Sequence, residues 1–151
     1  MIEGNMTNAP PTITYASVVS RETVRLALTI TDLNGLQAKA ADIMNAYVTA
    51  PITEKIWMVL GPEFGADAAM KAIIVCALYG LNISGAALHN NLEDYMCNIG
   101  YKSCMADPDI WLKPEVIPSD RFEYYSYILC YVEDILCIHH DSMAVLNKLD
   151  K

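Results

Sequence analysis

Residues 122–139 carry the feature that most limits what this chain can fold into. Phe122 to Val132 is a run dominated by aromatic and aliphatic residues, Glu133-Asp134 interrupts it, and Ile135 to His139 resumes it. Two apolar, β-favouring runs joined by a pair of acids predict a β-hairpin. Strands this apolar predict burial, which puts the turn acids where a core meets water. Adjacent carboxylates repel unless a proton or cation separates them, and magnesium takes oxygen ligands. A solvated turn is the plainer reading of the same two acids, and local sequence leaves both open.

A metal site of this kind needs another carboxylate from a distant segment. Asp42 is the candidate, at the end of a predicted strand over residues 36–42 and followed by Asn45 and Tyr47. A helix-capping aspartate is the competing reading. Cysteine and histidine offer a rival centre: Cys137 and His139 share one strand face, Cys130 lies across the hairpin, and His140 is adjacent. Zinc needs about four ligands. There is no C-x-x-C pair and the spacing matches no common finger, so the cysteines read as small apolar packing residues. Nucleophile-elbow, Walker, dinucleotide-fingerprint and H-E-x-x-H motifs are absent.

The remaining elements set the fold class. Residues 1–14, with Pro10-Pro11, read as a flexible lead. A helix is predicted over 18–34, capped by Ser17 or Ser20 and ended by Asn34-Gly35, with Val19, Leu26, Ile30 and Leu33 inward and Glu22, Arg25, Thr29 and Asp32 wet. Residues 43–50 suggest a short helical turn, 54–60 and 72–77 strands, and Gly61-Pro62 a turn between them. A second helix is predicted over 84–99 on a Leu88, Leu92, Tyr95 and Ile99 stripe. A strand follows over 109–113, then a loop over 114–120, and a last helix over 142–150. The order predicts an α+β domain.

Composition narrows the setting. A 54% apolar content argues against a disordered chain. The net charge of −8 repels phosphate backbones and taken alone argues against nucleic-acid binding. Without 18 consecutive apolar residues there is no predicted membrane span. The N-terminus lacks a basic start and an apolar stretch, so the reading is an intracellular protein, not secreted. Five cysteines, an odd number, fit reduced thiols.

Six segments in fixed order resemble the Ty1/copia-type retrotransposon reverse transcriptase family. Ser17 to Arg25 resembles the helix opening before the first catalytic strand, and Asp42-Ile43-Met44-Asn45-Ala46-Tyr47 is similar to the D-V-x-x-A-F/Y motif. Glu54 to Leu60 with Pro62-Glu63-Phe64-Gly65 resembles E-x-[IV]-[YW]-M…P-x-G-F. Leu78-Tyr79-Gly80-Leu81 resembles the start of L-Y-G-L-K-Q, Ala106-Asp107-Pro108-Asp109 the A-D-P-x segment, and Tyr131-Val132-Glu133-Asp134 stands where the family has Y-V-D-D.

The resemblance implies a polymerase palm-like antiparallel sheet with packed helices. It divides the chain into a 1–14 lead and a partial reverse transcriptase domain over 15–151, the end of the fingers plus palm, with the thumb absent. It implies RNA-directed DNA polymerase chemistry, two-metal nucleotidyl transfer onto a primer. Asp42, Glu133 and Asp134 would be the catalytic metal ligands, for Mg2+ or alternatively Mn2+, with no organic cofactor. Tyr47 would lie under the nucleotide sugar, Tyr131 and Val132 would shape the primer-end floor, and Leu78, Tyr79 and Gly80 would border the template and nucleotide pocket. The implied partners are an RNA/DNA template-primer and dNTP, together with the fingers, thumb and RNase H regions of a polyprotein, and no membrane.

Departures from the pattern bear on activity. Glu133 replaces an aspartate and moves its oxygens outward by about one bond length, and a misplacement of about 1 Å can cost about a hundredfold in rate. The family's Lys-Gln is Asn82-Ile83, and its P-R-A-W is Gly85-Ala86-Ala87-Leu88. Two readings follow: a polymerase fragment with impaired chemistry, or a non-catalytic palm remnant, inert or protein-associating.

Overall fold

In the computed structural model, which describes residues 16–149, the acidic hairpin lies at the heart of an antiparallel sheet. The predicted lead over 1–14 lies outside the described residues. The chain divides into two units, one formed by residues 17–44 and 92–149, the other containing 16 and 45–91.

The first unit holds five strands: β1 (Gln37–Asp42), β4 (Lys102–Ser103), β5 (Ile110–Val116), β6 (Glu123–Tyr131) and β7 (Asp134–His139). Their order is β1-β7-β6-β5-β4, with every neighbouring pair antiparallel. Helix α1 (Arg21–Leu33), the end of α3 (Ser84–Asn98) and α4 (Ser142–Leu149) complete it. This is a mixed α+β fold, as the sequence predicts.

Apolar side chains leave both faces of the sheet. One face gathers Trp111, Ile128, Cys130, Ile135 and Cys137 with Met96, Tyr101 and Val145. The other gathers Leu129 and Ile138 with Val19 and Ala27. Burial on both sides explains why β6 and β7 read as nearly unbroken apolar runs rather than alternating ones. Fully burying a residue such as Ile128 or Ile138 contributes about 2 kcal/mol. Two of the polar groups inside pair with each other: Tyr101 Oη and Ser126 Oγ lie 2.7 Å apart. Burial pushes the Tyr101 hydroxyl up to about 12, against the opposing effect of that bond.

Two local expectations are corrected. The α1 face turned inward is not the leucine stripe: Leu26 and Leu33 are 62% and 78% exposed, whereas Ala27 and Thr31 are buried. Small residues let the helix lie close to the sheet, and the Thr31 hydroxyl bonds back to the Ala27 carbonyl (2.8 Å). The predicted loop from Pro114 begins too early, because β5 continues to Val116 and pairs Pro114 with Tyr125. β4 pairs with β5 only at Leu112 and Trp111. Beyond them β5 is an edge strand, the setting that admits proline.

The second unit is built on the two-stranded antiparallel sheet β2 (Pro51–Val59) and β3 (Lys71–Cys76). Ile52, Ile56 and Met58 on β2 pack with Ile74, Leu78, Leu81 and Ile83. A one-turn helix α2 (Ala46–Thr49) precedes β2, entered through Asn45 at φ 57°, a conformation asparagine tolerates.

Candidate functional site

The hairpin turn is tight. Tyr131 pairs with Asp134, leaving Val132 and Glu133 as the two central residues. Val132 has φ 57° and Glu133 does not share the positive sign, which is the pattern of a type II′ turn. Glycine normally takes that first position. A β-branched residue there is strained, and such strain persists only where the surroundings enforce it. The enforcement is visible: seven β5–β6 pairs and five β6–β7 pairs fix the arms, and the Glu133 carbonyl accepts the Ile43 N–H at 2.9 Å.

That last bond extends the β1–β7 ladder past its final register pair, Asp42 opposite Asp134. Cross-strand partners have Cβ atoms about 5 Å apart. The structure thus brings two of the three predicted carboxylates, more than 90 positions apart in sequence, face to face, with Glu133 the residue beside Asp134. Both aspartates are exposed and Glu133 is half-buried. Tyr131 and Val132 are exposed at the same turn.

The fit to a metal is incomplete. Among the described residues, no group of three or more His, Cys, Asp or Glu side chains is gathered so that it could hold a metal ion. Asp42, Glu133 and Asp134 therefore do not form a ready three-carboxylate centre, and the Cys130, Cys137, His139 and His140 set is not one either. Cys130 and Cys137 instead lie in the core, where burial pushes their thiols up to about 12 and about 11.

The other predicted contacts belong to the second unit. Tyr47 and Tyr79 pack edge to face, with ring centroids 4.5 Å apart. The Leu78-Tyr79-Gly80-Leu81 turn passes through Gly80 at φ 94°. Ser84 ties it down: its hydroxyl accepts from the Leu78 N–H (3.0 Å) and donates to the Leu78 carbonyl (2.6 Å). Tyr47, Leu78, Tyr79 and Gly80 are thus held in a unit different from the one that carries the carboxylates.

Sequence reading undervalued two anchors. Ser84 is one, signalled only by a serine at a helix start. Asp107 is the other. Its Oδ2 accepts from the Ser20 N–H (3.3 Å) and the Thr23 hydroxyl (2.7 Å), and its Oδ1 from the Asp109 N–H (3.2 Å). Ser20 caps α1 by accepting from the Thr23 N–H (3.1 Å). Asp107 supplies from a distant loop the carboxylate that a capping box normally takes from the helix itself. An open cavity of about 480 Å³ lined by Glu115, Glu123, Tyr124 and Tyr125 lies at the opposite end of β6 and includes no predicted site residue.

Two retrotransposon proteins of Arabidopsis thaliana are similar to this chain. The Retrovirus-related Pol polyprotein from transposon RE1 is 26% identical over 142 residues, and that from transposon RE2 is 24% identical over 141. Each alignment covers 91% of this chain but only 9% of the relative. No family model and no solved structure matches. The chain is a distant homologue of retrotransposon Pol polyproteins and corresponds to a small part of their length.

Proposed function

We propose that this chain is a palm-centred segment of a Ty1/copia-type reverse transcriptase that persists as a non-catalytic, protein-associating remnant. The carrying observation is the unassembled acidic centre: Asp42 faces Asp134, but among the described residues no three-ligand group is gathered around them. Glu133 in place of an aspartate supports the same reading, since magnesium demands near-ideal octahedral geometry. Primer extension on an RNA template, with magnesium or manganese, tests it. The expected result is no extension by the wild type and none restored by Glu133→Asp.

The second reading is RNA-directed DNA polymerase activity with a template-primer and dNTP as substrates. The Asp42–Asp134 pair favours it, because it joins the Asp42-Ile43-Met44-Asn45-Ala46-Tyr47 segment to the Tyr131-Val132-Glu133-Asp134 segment. A bound divalent ion would supply charge neutralisation for phosphoryl transfer, and Asp42, Glu133 and Asp134 would be the residues to hold it. Extension by the wild type that Asp42→Ala abolishes would replace the remnant reading with this one.

A further inference from the structure

The β2–β3 sheet has an apolar outer face. Its inner face is used by Ile56, Met58 and Ile74. The alternate residues point the other way, and Trp57, Val59, Ile73 and Val75 are 42–66% exposed. Trp57 and Ile73 are cross-strand partners at the centre, with Val59 beside Lys71. An antiparallel sheet with one solvated face normally alternates apolar with polar. This one instead offers water on the order of 400 Å² of apolar side chain, the scale that marks interaction surfaces.

Charge says what fits there. The chain has 18 acidic residues against 10 basic ones, yet the outward positions of β2 and β3 hold Lys55 and Lys71 and no acid. Lys71 is the cross-strand partner of Val59, and Lys55 lies two positions before Trp57 with the same outward alternation, so the two lysines flank Trp57 and Ile73 from opposite ends of the face, roughly 14 Å apart from strand spacings. Three β-branched aliphatics and one aromatic make a poor stacking platform for bases, which successive aromatic rings would provide. They make a good seat for a protein segment. We infer that this face docks an acidic, apolar segment of a partner protein, with aliphatic side chains over Trp57 and Ile73 and carboxylates at Lys55 and Lys71. The inference rests on the protein-associating reading above and gives it a surface.

The chain's two tryptophans make the test direct, because Trp57 is 61% exposed and Trp111 only 2%. Synthetic peptides alternating leucine with glutamate, and the same peptides with lysine for glutamate, are titrated while tryptophan emission is followed. A single-stranded RNA oligomer and the protein's own sedimentation serve as further arms. The expected result is saturable binding of the glutamate peptide with a blue shift, weakened at least tenfold by Lys55→Glu/Lys71→Glu, whose circular dichroism stays native. Equal binding of the lysine peptide, or no binding, overturns the proposal. So does preferential binding of RNA, or a dimer that Trp57→Ser dissolves, each of which assigns the face to another occupant. Primer extension is measured on the same samples. Polymerase activity would overturn the remnant reading whatever the peptides do, and failure of the peptides would leave that reading standing while removing this surface.

Discussion

Asp42 and Asp134 are the last register pair of the β1–β7 ladder. Like charges directly opposite each other on one sheet face are destabilising by about 0.5 kcal/mol. Asp134→Asn, or Asp42→Asn, is therefore expected to raise stability by about that amount in magnesium-free, low-salt buffer, read from the urea midpoint. The gain should shrink as salt screens the pair. Under the remnant reading, magnesium at about 5 mM leaves the wild-type midpoint unchanged, since only an ion bound by the folded state shifts it. A rise that Asp42→Asn removes would count for the polymerase.

The turn next to that pair stores its own strain. Val132 sits at φ 57° where glycine is at ease. A left-handed conformation costs an L-residue about 1–2 kcal/mol, and glycine returns part of the gain as unfolded-state entropy. Val132→Gly should stabilise the chain by about 0.5–1 kcal/mol in equilibrium unfolding. A loss would mean that the valine side chain contributes more at the turn than its backbone costs.

The legible and illegible parts of the fold separate on physical grounds. The β6–β7 hairpin was readable because burial on both faces writes a continuous apolar run and the turn acids punctuate it. The α3 stripe was readable because Leu88 and Leu92 recur at helical spacing, although the fully buried Met96 was missed. The α1 helix was readable but its inward face was not. Periodicity placed leucines toward the core, whereas close approach to the sheet selects Ala27 and Thr31. Pro114 reads locally as a strand breaker, and it is harmless because β4 starts only at Lys102, opposite Leu112, leaving Pro114 on the edge. Asp42 was found as a carboxylate, but its register opposite Asp134 is a tertiary fact that no local pattern encodes.

Asp107 binds the start of α1 to the sheet through the Ser20 N–H and the Thr23 hydroxyl. Hydrogen bonds to a charged acceptor contribute about 1.5–3 kcal/mol in favourable settings, and cap loss costs about 1 kcal/mol. Asp107→Ala should cost about 1–2 kcal/mol and Asp107→Asn less, since the amide keeps one acceptor. Amide exchange should quicken first at Thr23 and Val24, the N–H groups bonded to the cap residue Ser20.

Thiol chemistry should follow burial. All five cysteines are free, with Cys97 exposed, Cys76 and Cys104 half-buried, and Cys130 and Cys137 buried. The thiolate is the nucleophile, and burial holds Cys130 and Cys137 almost wholly protonated near neutrality. Iodoacetamide at about pH 8 should label Cys97 first and leave Cys130 and Cys137 untouched until denaturant is added. Mass-mapped labelling of either buried cysteine in the native protein would mean that the core opens locally.

His139 gives the chain a pH dependence near neutrality. Its ring is buried, and its Nδ1 accepts the Asp141 N–H at 2.9 Å. Burial, and next the neighbouring His140, hold its pKa below the ordinary imidazole value, against smaller opposing effects from Asp141 and Glu115. A folded value below the unfolded one means that the unfolded chain binds the proton first as pH falls. Stability therefore rises with pH through the window below about 6.5 and is flat above it. Lowering the pH from about 7 to about 5.5 should reduce the urea midpoint before most carboxylates begin to titrate. His139→Gln, which cannot take up the proton, should flatten that segment of the profile. An unchanged slope in the variant would assign the dependence to another group.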